Sequence, residues 1–180
     1  MPRPRNISSQ KLKRKIRNVE RLELNRLSWQ AAGLVGWWPL GAYPDSKDKS
    51  LFGGKNGVIS GAVVGNIDQR RGLLFDGSND YVQISDSPLF DLLGDFGIGC
   101  WAKSSSVADA VLMNQYDAST NDGWFILHDV SPNTYRILVT ANTGAATADF
   151  SSDGAPTGDW DHVFITRTNG TIKLYVNGVL

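Results

Sequence analysis

Apolar and polar positions alternate over short stretches along most of this chain. From Gly33 onward, runs of β-branched and aromatic residues are separated by clusters of Gly, Asn, Asp, Ser and Pro, and helical periodicity is almost absent. Such runs are typical of antiparallel strands, since the connections are too short for crossover helices. The pattern predicts an all-β fold with ten strands, at residues 34–40, 57–60, 72–76, 81–85, 96–103, 110–116, 124–130, 135–141, 161–168 and 171–178.

Two stretches carry the signals of tight turns. The sequence TNGT, at 168–171, places Asn-Gly between two apolar runs, which is the common signal for a two-residue hairpin. The sequence GLLFDGSNDYVQISDSP, at 72–88, contains a strand, a polar turn and a second strand, and we interpret it as another hairpin. In TIKLYVNG, Ile172, Leu174 and Val176 fall on one face, as expected of a half-buried strand.

The beginning of the chain has a different pattern. From about Ser8 to Gln30 there is no Gly or Pro, and Lys, Arg, Leu and Glu dominate, which predicts a helix. Residues 1–33 hold nine Lys or Arg against two Glu, and the rest holds nine against sixteen Asp, so the two parts carry about +7 and −7. We predict a basic N-terminal α-helical arm at 1–32 and a globular body at 33–180.

The predicted arm carries a narrow apolar stripe on a basic helix, and three kinds of partner fit it. Its Lys and Arg side chains suit nucleic-acid phosphates, without sequence preference. An anionic membrane surface would require bulky aromatic residues, and the arm has only Trp29. Docking on a partner protein uses the stripe as anchors, and we favour this interpretation. The predicted anchoring residues are Leu12, Ile16, Val19 and Leu27, with Arg14 and Arg17.

Six blocks in series resemble one known family. They are GLVGWWPLG, GKNGVISGA, GLLFDGSNDYVQISDSP, DFGIGCWAKSSS, TNDGWFIL and GDWDHVFITRTNGTIKLYVNGVL. Their order resembles LamG-like jelly-roll domains, the laminin-G and pentraxin-like branch of the concanavalin A-like lectin/glucanase fold. The resemblance implies an antiparallel jelly-roll β-sandwich. Related domains usually continue past the LYVNG strand, so the resemblance also implies that the body at 33–180 lacks its last strands.

No pattern in the body is typical of an enzyme site. Glucanase relatives use paired carboxylates, usually Glu, and the body contains no Glu. The nearest pair, Asp159 and Asp161 in GDWDH, is predicted to end a loop and begin a strand. Neither His128 nor His162 accompanies a G-x-S-x-G elbow. Cys100 lies in an apolar run that predicts a buried structural thiol, and we predict a non-enzymatic protein.

The polar turn at 76–80 has two interpretations. Asp76, Asn79 and Asp80 are turn residues, whose side chains cap backbone amides. Their oxygen atoms are also the ligands that calcium prefers, and the resemblance implies that one calcium ion is often bound. We favour the turn, and retain these three residues as the predicted calcium ligands.

The loop NQYDASTNDGW, at 114–124, combines flat aromatic side chains with carboxylates and amides. Sugar sites need this chemistry, because rings pack on C–H faces while polar groups bond hydroxyls. The alternative is a surface loop with one buried Trp. The predicted carbohydrate-binding residues are Tyr116, Asp117, Asn121, Asp122 and Trp124, whereas Trp37, Trp38, Trp101 and Trp160 are interpreted as core residues.

The N-terminus is charged throughout and lacks the apolar core of a signal peptide, and no stretch is apolar for the length of a membrane span. We expect a protein made in a host cytoplasm. A lectin-type body with a basic arm fits a phage virion component, such as a tail-fibre, head-fibre or decoration protein, anchored to virion proteins by its arm. The body would stabilise the particle or bind host-surface glycans, as a homo-oligomer. The alternatives are a free carbohydrate-binding lectin and a glycoside hydrolase.

Overall fold

The computed structural model describes residues 25–41, 46–48, 50, 54–68, 70–92, 94–104, 108–117, 119–120, 122–140, 146–152 and 155–180. Within these residues the protein is all-β, apart from a short helix α1 (Trp29–Ala32) and a 3-10 turn at Pro88–Phe90. The strands are β1 (Gly57–Ser60), β2 (Val63–Ile67), β3 (Arg70–Leu74), β4 (Tyr81–Ile84), β5 (Phe96–Ala102), β6 (Ala110–Asp117), β7 (Asp122–Asp129), β8 (Thr134–Thr140), β9 (Ala146–Ser151), β10 (Asp161–Thr168) and β11 (Thr171–Val176). No helix in these ranges has the length and apolarity to cross a membrane.

The last part of the predicted helical arm is not a continuous helix. The backbone N–H groups of Ser28 and Leu27 donate to the carbonyl and the side chain of Asn25, at 3.0 and 3.2 Å, so this asparagine holds a turn. The prediction of a helix that continues to Gln30 is therefore wrong over 25–28, because the side chain of Asn25 competes with helical bonding. Leu27 is exposed. The remaining predicted anchors, Leu12, Arg14, Ile16, Arg17 and Val19, lie outside the described residues.

Nine of the ten predicted strands are present among the described residues, and the prediction of a strand at 34–40 is wrong. There the Trp37 N–H donates to Asp48 at 3.1 Å and the Trp38 indole donates to the Lys55 carbonyl at 2.7 Å. These bonds replace the backbone pairing with a neighbouring strand that a β-strand would make. The strands β2 (VVGNI) and β9 (ATADFS) were not predicted, because Gly and small polar residues interrupt their apolar alternation.

The chain comprises two compact units, Met1–Asp86 and Ser87–Leu180. In the first unit, β1 pairs with β4 and β2 pairs with β3, both antiparallel. The strands β3 and β4 therefore belong to different ladders, and the prediction of a hairpin at 72–88 is wrong. The division into an arm at 1–32 and a body at 33–180 stays a prediction.

The second unit is an antiparallel β-sandwich. One sheet has the order β6-β7-β8-β9, and the other has the order β11-β10-β5. Both sheets contribute to one core, because alternate residues of each strand point inward. The buried members of this core are Trp124, Ile126, Tyr135, Ile137, Val163, Ile165 and Leu174. The jelly-roll strand order stays a prediction.

The strands β10 and β11 form the tight hairpin that the sequence predicts. Asn169 and Gly170 have φ angles of 49° and 78°. Two successive positive φ angles are those of a type I′ turn, which Asn-Gly favours. Ile172, Leu174 and Val176 lie in the core or pack against it, which confirms the predicted alternation.

Candidate functional site

The β6–β7 hairpin divides the predicted sugar-binding residues between the two faces of its sheet. Tyr116 pairs with Gly123, and Asp117 pairs with Asp122. Because successive residues of a strand point to opposite faces, Tyr116 lies on the outer face and the two carboxylates lie on the other. Asn121 lies outside the described residues.

Tyr116 belongs to a patch on the outer face of the four-stranded sheet. Across the ladders, Asn114 pairs with Phe125, and Gly123 pairs with both Tyr116 and Thr140. We call these five residues the outer patch. The ring of Tyr116, the amide of Asn114 and the hydroxyl of Thr140 are the kinds of group that a sugar site requires.

The ring of Tyr116 packs edge-on against a neighbouring ring. Its centroid lies 5.6 Å from that of Phe125, at an interplanar angle of 89°, which is the preferred edge-to-face geometry. Tyr116 is 38% exposed, and the residue opposite it, Gly123, has no side chain to cover it. The outer patch therefore presents an exposed aromatic surface.

Backbone geometry requires glycine at position 123. Gly123 has a φ of 121°, and a Cβ atom there would lie 2.0 Å from the carbonyl oxygen of Gln115. A side chain at this position would displace the backbone of β6, which carries Tyr116. The role of Gly123, like that of Phe125 and Thr140, was not predicted, because cross-strand pairing is not visible in local sequence.

Asp117 uses one carboxylate oxygen within its own turn. Its Oδ1 accepts hydrogen bonds from the side-chain hydroxyl and the backbone N–H of Ser119, at 2.6 and 2.8 Å. These bonds hold the pKa of the Asp117 carboxyl below its usual value, so the group is an ionised acceptor at neutral pH.

Trp124 does not lie on the surface, and its predicted role in stacking a sugar is wrong. It is buried in the core of the sandwich, where its indole N–H donates to the Phe90 carbonyl at 3.1 Å and to Gln115 at 3.3 Å. The alternation of β7 points it inward between the two sheets. The loop therefore has the one buried Trp that the alternative interpretation expected.

The turn at 76–80 uses its carboxylates to cap backbone amides. Asp76 Oδ1 accepts from the N–H groups of Ser78 and Asn79 at 2.8 and 3.3 Å, and Asp80 Oδ2 accepts from the Asp76 N–H at 2.9 Å. The amide of Ser78 contributes most to lowering the pKa of the Asp76 carboxyl. No group of three or more acidic, His or Cys side chains in the described residues forms a metal cluster. Asp76 Oδ1 and Asp80 Oδ2 are engaged in capping amides, and calcium binding at this turn stays a prediction.

Both nitrogens of the His128 ring have partners. Nδ1 lies 2.7 Å from the Ser104 hydroxyl, and Nε2 lies 2.9 Å from the Asn133 side-chain oxygen. The residue is 3% exposed, so these bonds satisfy the two polar atoms of a buried ring.

Asp161 is a buried carboxylate with partners on both oxygens. It accepts hydrogen bonds from Tyr135, from the amide and hydroxyl of Thr157, and from Asn177, at 2.7–2.9 Å. Burial raises the pKa of the Asp161 carboxyl, and these bonds outweigh it, so the net pKa is lowered. Asp159 is exposed and lies 3.6 Å from the Lys103 amine. The prediction that Asp161 begins a strand is confirmed.

The outer face of the three-stranded sheet carries a row of three rings, Trp101, His162 and Phe164, of which Trp101 was predicted to be core. Trp101 is 56% exposed, so its interpretation as a core residue is wrong. Within β5 it alternates with Cys100, which points inward, and burial raises the pKa of that thiol to about 11, as expected of a structural cysteine. The ring of His162 lies between Trp101 and Phe164, at centroid distances of 5.0 and 5.8 Å.

Comparison with known families identifies the class of this protein. The family model of the concanavalin A-like lectin/glucanases superfamily, Laminin_G_3, matches residues 76–180, which is more than half of the chain and includes the whole sandwich. The chain therefore belongs to this superfamily, as its sequence blocks had indicated. No curated protein and no solved structure matches the chain.

Proposed function

We propose that this protein is a non-enzymatic, glycan-binding module of the jelly-roll type, and that the outer patch is its binding site. The observation that carries the proposal is the exposed ring of Tyr116, which Phe125 holds edge-on opposite Gly123. A sugar ring packs its C–H face on such a surface. The Asn114 amide lies on the same face and supplies directed hydrogen bonds, and the Thr140 hydroxyl, which donates to the Gly123 carbonyl at 3.3 Å, can accept one.

Two features support binding without hydrolysis. The proton donor of a glycosidase needs a raised pKa, whereas the bonds from Ser119 lower the pKa of Asp117. Asp161 is fully buried, and four hydrogen bonds from its neighbours occupy its carboxylate.

Glycan screening of the full chain tests the proposal, with Tyr116→Ala and Tyr116→Phe as paired variants. A single shallow site should bind neutral oligosaccharides with a Kd of roughly 0.1–1 mM. Tyr116→Ala should weaken binding roughly tenfold, while Tyr116→Phe, which keeps the ring, should retain most of the affinity. Equal binding by all three proteins, or no binding to any neutral glycan, would contradict the proposal.

The biological setting that fits this module best is a phage virion. The N-terminal segment would dock the protein on other virion proteins through its predicted apolar stripe, and the acidic remainder would face the host surface. Several copies on one particle would raise a weak affinity by multivalency.

Capture of particle proteins by the full chain tests the virion setting. Capture should survive nuclease treatment and raised salt, and Ile16→Asp should abolish it, because the change places a charge in the predicted apolar stripe. Capture that is lost with nuclease would identify a nucleic-acid partner and contradict the anchoring role.

A further inference from the structure

A second polar surface lies on the other sheet of the sandwich, along the β10–β11 hairpin. Thr166 pairs with Lys173, and Thr168 pairs with Thr171. All four residues alternate with the inward-pointing positions of their strands, so they lie on the outer face. This surface is separate from the outer patch, which belongs to the four-stranded sheet.

The surface is concave. A depression of about 400 Å³ is lined by Thr166, Thr168, Asn169, Thr171, Lys173 and Tyr175, and we call it the β10–β11 groove. The depression is open to solvent, so it suits an extended ligand that keeps one side in water.

The groove is polar and carries positive charge. Lys173 is exposed and forms no ion pair with any carboxylate of the described residues. No acidic side chain lines the groove; the nearby Asp95 accepts a hydrogen bond from the Asn169 backbone at 2.9 Å. An anionic ligand would therefore meet one cation, and no lining carboxylate would repel it.

An aromatic surface adjoins the groove. Tyr175 pairs with Phe164, whose ring covers the two glycines of β5. A Cβ atom at Gly99 would lie 2.6 Å from this ring, and one at Gly97 would lie 3.1 Å away. The glycines therefore let Phe164 lie close to the sheet beside Tyr175, which gives the end of the groove a flat apolar surface.

We propose that the β10–β11 groove binds an acidic oligosaccharide, with Lys173 contacting a sugar carboxylate. The three threonine hydroxyls donate and accept hydrogen bonds with the sugar hydroxyls, and the ring of Tyr175 packs on a C–H face. This site goes beyond the function proposed above, because it uses a different sheet and a charged class of ligand.

Calorimetric titration of the full chain with a glucuronate-containing tetrasaccharide, and with the same tetrasaccharide after its carboxyl groups are reduced to alcohols, tests the proposal. Lys173→Gln should weaken binding of the acidic form about tenfold, since a charge-assisted hydrogen bond is lost, and Lys173→Arg should restore most of it. Lys103→Gln removes the same charge outside the groove and should leave binding unchanged within about twofold, because exposed charges act weakly at a distance.

Three outcomes would overturn the groove proposal: no binding of the acidic form, equal binding of the reduced form, or equal binding by Lys173→Gln. Tyr116→Ala should leave acidic binding intact. If the proposal for the outer patch is wrong, binding of neutral glycans will be absent while binding of the acidic tetrasaccharide is unaffected. The two proposals can therefore be rejected independently.

Discussion

Tyr135 on β8 donates a hydrogen bond of 2.9 Å to Asp161 on β10, and this contact joins the two sheets of the second unit. Both residues have no exposed surface. Thr157 and Asn177 complete the set of donors, so the segment before β10 and the turn after β11 are bound to one buried charge. A carboxylate is stable in such a position only while its hydrogen bonds are complete.

Tyr135→Phe removes one donor from this carboxylate and leaves the shape of the ring unchanged. We expect the free energy of unfolding to fall by about 1–3 kcal/mol, because a buried charged acceptor loses a partner. Tyr175→Phe is the matched control, since it removes a hydroxyl from the outer face, and it should change stability by less than about 0.5 kcal/mol. Urea unfolding measures both, and equal losses would contradict the role of the buried contact.

Asp161→Asn should change how stability depends on pH. The pKa of Asp161 is lower in the folded than in the unfolded protein, so its contribution is present above the ordinary pKa of about 4 and is lost as the pH falls through the lower folded value. The variant should be less stable by about 1.5–3 kcal/mol at neutral pH. The difference from wild type should shrink in acid, whereas parallel pH profiles would show that Asp161 does not have this role.

Gly123→Ala should lower the free energy of unfolding more than the same substitution at Gly170, another glycine with a positive φ. Gly170→Ala, in the β10–β11 turn, meets no atom within 4 Å and should cost only about 1–2 kcal/mol of unfolding free energy for its φ of 78°. Gly123→Ala should cost more, because its Cβ also meets the Gln115 carbonyl. It should weaken neutral-glycan binding as well, and similar losses in the two variants would disprove the proposed crowding.

Cys100 should react slowly with thiol reagents in the folded protein. Burial raises its pKa to about 11, so the thiolate is scarce at about pH 8, and the side chain is partly covered by the core. Labelling with a disulfide reagent should be fast only after denaturation. Rapid labelling of the native protein would mean that β5 opens readily or that the thiol is accessible.

Local signals in the sequence predicted part of this structure well. The hairpin of β10 and β11 has strict alternation and an Asn-Gly turn, and both features act within a few residues. The prediction that β3 pairs with β4 was wrong. The capped turn that begins at Asp76 can connect strands of two different sheets as well as the two strands of a hairpin.

The tryptophans show why the site was only partly predicted. Trp124 was expected on the surface and Trp101 in the core, and the structure reverses both. A strand shows in sequence which residues share a face, and the packing of the sheets decides which face is buried. A β-bulge between Val111 and Met113 shifts the register within β6 and adds to this difficulty.

The central claim is that the outer patch binds glycan through Tyr116, and an NMR titration of the full chain with the tightest-binding neutral oligosaccharide tests it most directly. We predict that backbone amide shifts change at 114–116, 123–125 and 140, and that Tyr116→Ala removes these changes while the spectrum remains that of a folded protein. Shift changes confined to other residues, or changes that persist in Tyr116→Ala, would contradict the account.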